Sequence, residues 1–372
     1  MPKYKIAVMP GDGIGKDVTE VAMLVLDKIG LDAEYTFADV GWEFWCKEGN
    51  PLPDRTIEIL KNSTCALFGA ITSKPRDEAK NELAPVLKDK GFEYFSPIVN
   101  LRQMFNLHTN LRPCKAFEGN PLNFRDDIDL VVFRENTEDL YSGVEFRPIP
   151  KELNDVLLKN HKKFARFANM PDGEIAISLR INTKKASRSI SQQGFEYAQK
   201  HGYKSVTIVE KPNVIRETSG MMLEQAREVA KNFPKIPLWE ANIDAMAMWL
   251  VKNPQDYGVL VASNLFGDII SDLAGQLVGG LGFSASANIG DDFAVFEPTH
   301  GSAPKYSGQY KVNPMAMLMC TKLMLDWLGE TDKGQALLSA IALVIKEGRI
   351  RTYDMGGTNT TLEMGDAVAS LL

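Results

Sequence analysis

Short apolar runs alternate with helical repeats along most of the chain. Lys5-Ile6-Ala7-Val8-Met9 has the length and composition of a buried strand. After the turn Pro10-Gly11-Asp12-Gly13-Ile14-Gly15, the apolar residues Val18, Val21, Ala22, Val25 and Ile29 recur at helical spacing until Gly30 closes the segment. Strand-like runs from Ala33 to Val40 and from Ala66 to Ile71 flank a helix opened by Pro53 and Asp54. This βαβαβ order predicts an α/β protein with a parallel sheet covered on both faces.

The pattern loosens from Thr72 to Pro97, where one short helix is predicted from Glu78 to Lys88. Asp129 to Phe133 is a strand that runs into the polar stretch Arg134-Glu135-Asn136-Thr137-Glu138-Asp139-Leu140-Tyr141-Ser142-Gly143. Residues 147 to 173 are polar and predict an arm or loop. A strand follows from Ala176 to Asn182, a helix from Thr183 to His201, a strand from Ser205 to Lys211, and a helix that has Asp244 in its first turn. The run Val261 to Asp272 is apolar, with a predicted break at Gly267 and a helix after it. The loop Phe296 to Tyr306 and helices from Pro314 and Gln335 complete the chain, which has no internal repeat.

Asp268 and Asp272 lie four apart, so on a helix their carboxylates share a face and repel unless something positive stands between them. Carboxylate oxygens suit a hard cation such as Mg2+ or Mn2+. Taken alone, the pair reads as a solvated face with Asp268 favoured by the helix dipole, and only its company points to a metal. Arg102, Arg112 and Arg134 border polar turns, and a guanidinium fork pairs bidentately with carboxylates. Singly, each reads as a surface ion-pair partner. Arg134, however, ends an apolar strand, where α/β proteins build their sites. Lys211 stands at another strand end and reads either as a solvent-facing charge or as a positioned acid or base. The glycines Gly11, Gly13 and Gly15 match a dinucleotide fingerprint poorly, because Lys16 stands where its third glycine would fall.

Composition narrows the range. The 372 residues are 44% hydrophobic and 24% charged with a net charge of -6, which excludes a general nucleic-acid or anionic-membrane binder. No stretch is apolar for long enough to cross a bilayer, and the N-terminus enters a strand directly, so a cytoplasmic location is expected. The four cysteines, Cys46, Cys65, Cys114 and Cys320, are scattered without metal spacing and read as reduced, mostly buried thiols.

The ordered set Gly11-Asp12-Gly13-Ile14-Gly15, Leu111-Arg112-Pro113, Phe133 to Gly143, the Lys211 strand end, Asn242-Ile243-Asp244, Asn264 to Asp268 with Asp272, and Thr299 to Tyr306 resembles the isocitrate and isopropylmalate dehydrogenase family over nearly the whole length. The resemblance implies a two-lobed α/β fold distinct from a standard Rossmann domain. Residues 1–107 and 280–372 would form the large cofactor-binding lobe, 108–138 and 184–279 the small lobe, and 139–183 an arm that clasps a second subunit. It implies a homodimer with shared active sites, acting on a small hydroxy tricarboxylate. Arg102, Arg112 and Arg134 would hold the substrate carboxylates. Asp268 and Asp272 would hold Mg2+ or Mn2+, with Asp244 lent by the partner subunit, and Tyr141 and the partner's Lys211 would move protons. Lys211 can accept a proton only where a neighbouring cation favours its neutral form.

For the substrate, the family's isocitrate enzymes carry S-x-N six residues ahead of the first arginine, whereas isopropylmalate enzymes have an apolar residue there. Ser96 fits isocitrate; Ile98 departs from the pattern, with Asn100 close by. Homoisocitrate and 3-isopropylmalate stay open, as does a non-catalytic regulatory subunit. For the cofactor, the resemblance implies contacts from Thr72, Gly282, Glu297, His300, Gly301, Ser302, Ala303, Lys305, Tyr306, Asn313, Tyr353 and Asp354. Lys305, Tyr306 and Tyr353 favour NADP over NAD, because an ammonium and phenols suit a 2′-phosphate that an Asp would repel. Gly357 and Asn253 stand where NADP relatives can carry arginines, and Lys305 by itself also reads as a solvated loop charge.

Overall fold

The computed structural model describes residues 2–171 and 173–372. Twelve strands form in chain order: β1 (Tyr4–Gly11), β2 (Ala33–Phe37), β3 (Cys65–Ala70), β4 (Thr109–Lys115), β5 (Asp129–Glu135), β6 (Glu145–Phe146), β7 (Ile177–Ser178), β8 (Val206–Glu210), β9 (Leu238–Asn242), β10 (Val259–Ala262), β11 (Ala285–Ile289) and β12 (Ala294–Pro298). Ten make one sheet in the order β2-β1-β3-β12-β11-β4-β5-β10-β8-β9. Its two wings are parallel, as the βαβ alternation requires. The centre is not: β11 runs antiparallel to both β12 and β4, and β4 antiparallel to β5. The all-parallel expectation therefore holds only for the wings. Antiparallel neighbours need no crossover helix, and β4 and β5 are joined without one.

Burial explains why the strands read as continuous apolar runs. In β1, Ile6 and Val8 face one core while Ala7 and Met9 face another, and all four are fully buried. In β5, Val131 and Phe133 join the large core, whereas Leu130 and Val132 pack with Met246, Leu260 and Ile270 in a separate cluster. With both faces covered, nothing selects polar residues at alternate positions.

Several elements differ from expectation. The predicted Glu78–Lys88 helix is instead Arg76–Asn81 followed by a one-turn 3-10 segment at Pro85–Leu87, because Pro85 cannot donate to a continuing helix. The strand predicted from Ala176 to Asn182 is only Ile177–Ser178, paired with Glu145–Phe146, plus a bridge from Ile181 to Asp139. The run from Ala33 ends at Phe37 rather than Val40. The polar 147–173 stretch contains a helix, Lys151–Asn160, with no buried residue; Asp172, in the same stretch, lies outside the described residues. Ser96 to Arg102, left without an element by the sequence pattern, opens a helix at Pro97–Met104. Among the described residues no helix is long and apolar enough to cross a membrane.

Candidate active site

Arg134 stands next to last in β5 with its side chain 1% exposed, and the Asn264–Gln276 helix passes directly over it. That helix runs unbroken from Asn264, so Gly267 is part of its first turn and not a break. The glycine serves close packing: a Cβ there would fall 2.7 Å from both Cβ and Cγ of Arg134. Arg134 donates through Nε to Asn264 Oδ1 (2.9 Å) and through Nη1 to Asp268. Its Nη2 is buried with no acceptor among the described residues. Tyr141 donates its hydroxyl to the other oxygen of Asp268 (2.5 Å), and its ring centre lies 4.9 Å from the Arg134 guanidinium.

Asp268 and Asp272 share a helix face, as their spacing requires, and the positive group between them is Arg112. Its Nη2 is 3.4 Å from Asp268, and its Nη1 is 3.1 Å from Asp272 and 2.8 Å from Ser271 Oγ. Arg102 joins through asparagines: its Nε donates to Asn288 Oδ1 (2.9 Å), as does Asn110 Nδ2 (2.8 Å), and Asn110 Oδ1 accepts from Arg112 Nε (2.7 Å). Arg102 also pairs with Glu297 at 3.1 Å, so that acid, expected at the cofactor, sits on the arginine side.

Asn110, Asn264 and Asn288 were missed by sequence reasoning. Asn110 had a signal, since it shares the strand face of Arg112 two residues on. Asn288 had a weaker one, as the second polar residue, after Ser286, that alternates with Ala285, Ala287 and Ile289 in β11.

Electrostatics follow from this packing. Burial pushes Arg134 down to about 10, helped by the like charges of Arg112 and Arg102. Burial alone would raise Asp268, but Arg134, Arg112 and the Tyr141 hydroxyl outweigh it and hold the carboxyl low. Asp272, with burial dominant and Asp268 adding to it, is raised despite Arg112. Burial, then the bond to Asp268, raises Tyr141, so its phenol stays protonated at neutral pH.

Two carboxylates on one helix face fit a hard divalent cation but supply only part of its shell. Among the described residues no three His, Cys, Asp or Glu side chains gather as a metal site. Asp244 is not with Asp268 and Asp272 in this chain. It pairs instead with Lys211, whose bond lowers the Asp244 carboxyl. Within this chain Asp268 and Asp272 thus have no third carboxylate beside them among the described residues.

Ser96 occupies the N-cap position of the Pro97–Met104 helix without making a capping bond. Ile98 packs into the core with Leu101, away from the more open face of the helix. Ser96, Asn100 and Gln103 recur at i, i+4 and i+7 on the more open face. Gln103 Nε2 approaches the carbonyl of Tyr141 at 3.5 Å, so that face leans toward the arginine site.

A cavity of about 490 Å³ adjoins the N-terminal turn. Of the expected cofactor residues, Gly282, His300, Gly301, Ala303, Tyr306, Asn313, Tyr353 and Asp354 line it. Thr72 and Ser302 join hydroxyls at 2.6 Å. Gly13, at φ 53°, explains the glycine turn: a Cβ there would lie 2.1 Å from the carbonyl oxygen of Ser302, so the turn is built for the 299–306 loop to pass against it. Lys305 Nζ sits 4.7 Å from the Tyr306 ring centre, and Tyr306 and Tyr353 rings are 5.5 Å apart. The bonds to Lys305 and Tyr353 lower the Tyr306 phenol, while burial and Tyr306 raise Tyr353.

Comparison with known proteins follows the same lines. The family model for isocitrate/isopropylmalate dehydrogenase matches residues 5–368. The chain is 40% identical to DlpA of Legionella pneumophila over 98% of its length, and spans 58% of that longer protein. It is 39% identical to a 3-isopropylmalate dehydrogenase of Methanothermobacter thermautotrophicus, over 99% of this chain and 98% of the other. The crystal structure of isocitrate dehydrogenase from Methylococcus capsulatus is similar with a TM-score of 0.85 at 36% identity, covering 99% of both chains.

Proposed function

The chain belongs to the isocitrate/isopropylmalate dehydrogenase family, and on that premise we propose that it oxidises and decarboxylates isocitrate to 2-oxoglutarate and CO2 while reducing NADP. The observation that carries this reading is the buried Nη2 of Arg134, an N–H without an acceptor, set beside Arg112 and Arg102 and across from Asp268. Leaving such a donor unsatisfied costs about 1–3 kcal/mol, and a substrate carboxylate would satisfy it.

In this reading Arg102, Arg112 and Arg134 bind and orient the carboxylates of the acid. Asp268 and Asp272, with Asp244 of the partner subunit, would hold Mg2+ or Mn2+, which supplies Lewis acidity at the substrate hydroxyl and carbonyl oxygen. Lys211 of the partner subunit would take the proton of the C2 hydroxyl, and a nicotinamide held in the cavity would supply the hydride acceptor for C2. The C3 carboxylate then departs as CO2, and Tyr141 gives its phenolic proton to C3. A protonated phenol beside an ionised Asp268 suits that last step. The large lobe is taken as 1–107 with 280–372, the small lobe as 108–138 with 184–279, and 139–183 as the arm over a second copy.

Ser96 favours isocitrate over homoisocitrate and 3-isopropylmalate, and Lys305, Tyr306 and Tyr353 favour NADP over NAD. The test is a panel of these acids with Mg2+ and either cofactor, read by absorbance of the reduced nicotinamide. A clearly higher kcat/KM for another acid would replace the substrate. No turnover with any acid would favour a regulatory subunit.

A further inference from the structure

Arg180 returns from the arm just after β7 and buries its guanidinium among four other segments. Its Nε donates to Asp139 Oδ1 (2.5 Å), Nη1 to Ser219 Oγ (3.1 Å), and Nη2 to both Ser263 Oγ (2.6 Å) and Glu210 Oε2 (3.2 Å). Its guanidinium carbon lies 4.9 Å from the Phe266 ring centre. The side chains of Asp139 and Glu210 are each 1% exposed, so without the arginine both would be buried charges lacking a cation.

Three of these partners adjoin segments that carry candidate reacting groups. Asp139, at φ 70°, is the N-cap position of the short helix that carries Tyr141. Glu210 ends β8 immediately before Lys211. Ser263 is the N-cap position of the helix that carries Asp268 and Asp272. The acids' remaining oxygens tie to the same helix start: Asp139 Oδ2 accepts from the Leu265 amide (3.0 Å) and Glu210 Oε1 from the Ser263 amide (3.0 Å). A planar fork with five donors can make all these bonds at once; a lysine ammonium cannot.

We propose that Arg180 is a positioning residue that fixes Tyr141, Lys211 and the Asp268 helix relative to one another, and thereby links the two active sites of a dimer. The second half rests on the functional reading above, in which Tyr141 and Lys211 of one chain serve different sites. One guanidinium then holds the proton donor of one site and the proton acceptor of its neighbour, while bonding to neither.

The test is Arg180→Lys in the full-length protein, followed by amide hydrogen exchange and steady-state kinetics. Exchange should rise together, by about tenfold or more, in segments 139–143 and 211–215, with β1 unchanged as a control for global loosening. kcat should fall roughly 30- to 100-fold with KM for the acid within about threefold, because geometry and not binding is lost. The pH profile of kcat should also shift. Guanidinium added to Arg180→Ala should restore part of the rate, which a merely structural defect would not allow. If Arg180→Lys does not fold, Ser263→Ala removes one of the bonds and should loosen the same two segments. Exchange that rises in only one segment, or throughout the protein, would overturn the positioning role, as would an unchanged kcat. Should wild-type protein turn over none of the acids, the functional reading fails and the exchange result still decides the positioning role.

Discussion

Arg134 and Asp268 form an ion pair of unequal partners: the arginine is buried, while the acid side chain is 32% exposed. The acid compensates the arginine and keeps one face toward the open site. Asp268→Asn should therefore affect more than catalysis. With Asp268 in the proposed role of metal ligand, turnover should drop at least about 100-fold, and unfolding stability should fall by about 1–3 kcal/mol because a buried cation loses its carboxylate. Added isocitrate should recover part of the loss by binding the native state. Thermal unfolding with and without isocitrate checks this, and an unchanged midpoint in the free variant would contradict it.

Ser96→Leu tests the substrate. The residue sits on the open face of its helix while Ile98 faces the core, so the substitution should change the pocket and spare the fold. kcat/KM for isocitrate should drop by roughly 10- to 100-fold, consistent with one lost polar contact, with a much smaller effect on 3-isopropylmalate. Equal losses on both acids would mean that Ser96 does not meet the discriminating group.

The cofactor preference is tested by Lys305→Asp with Tyr306→Ile. Removing the cavity-lining phenol and the ammonium that sits over its ring should weaken NADP by about 2 to 3 kcal/mol, roughly 30- to 150-fold, while sparing or helping NAD. Wild-type protein that prefers NAD, or a double variant with an unchanged ratio, overturns the assignment.

The proposal that two chains share their active sites makes a prediction for mixed chains. Lys211→Met and Tyr141→Phe should each be inactive as homodimers. After chain exchange at equal amounts, half the dimers are hybrids with one intact site of two, so roughly a quarter of wild-type activity should return. No recovery after verified exchange would locate each site within one chain.

Stability should decline from neutral to mildly acidic pH. Burial holds His300 and His201 below the ordinary imidazole range, and His300 Nε2 is enclosed without a partner. A histidine with a lowered folded pKa is protonated first in the unfolded chain. Stability is therefore intact above about 6.5 and is lost as pH falls from there toward the folded value. Denaturant unfolding of cofactor-free protein should show this slope between about pH 7 and 5, shallower in His300→Gln. Identical slopes would assign the effect elsewhere.

Much of this protein was legible in the sequence because it is local. The apolar run ending at Arg134, the helical repeat closed by Gly30 and the four-residue spacing of Asp268 and Asp272 each follow from a periodicity of a few residues, and the structure keeps them. The ordered motifs gave the family for the same reason. What the pattern could not carry was who meets whom. Arg134 finds Asp268 across 134 positions and Arg102 finds Asn288 across 186. Lys211 turns to Asp244 in its own chain, and Arg112 occupies the space between two acids. The antiparallel centre of the sheet likewise depends on β11 reaching β4 from far along the chain. Such contacts form because buried charges and amides must find partners wherever the packed core brings them, and that requirement leaves no periodic trace in the residues on either side.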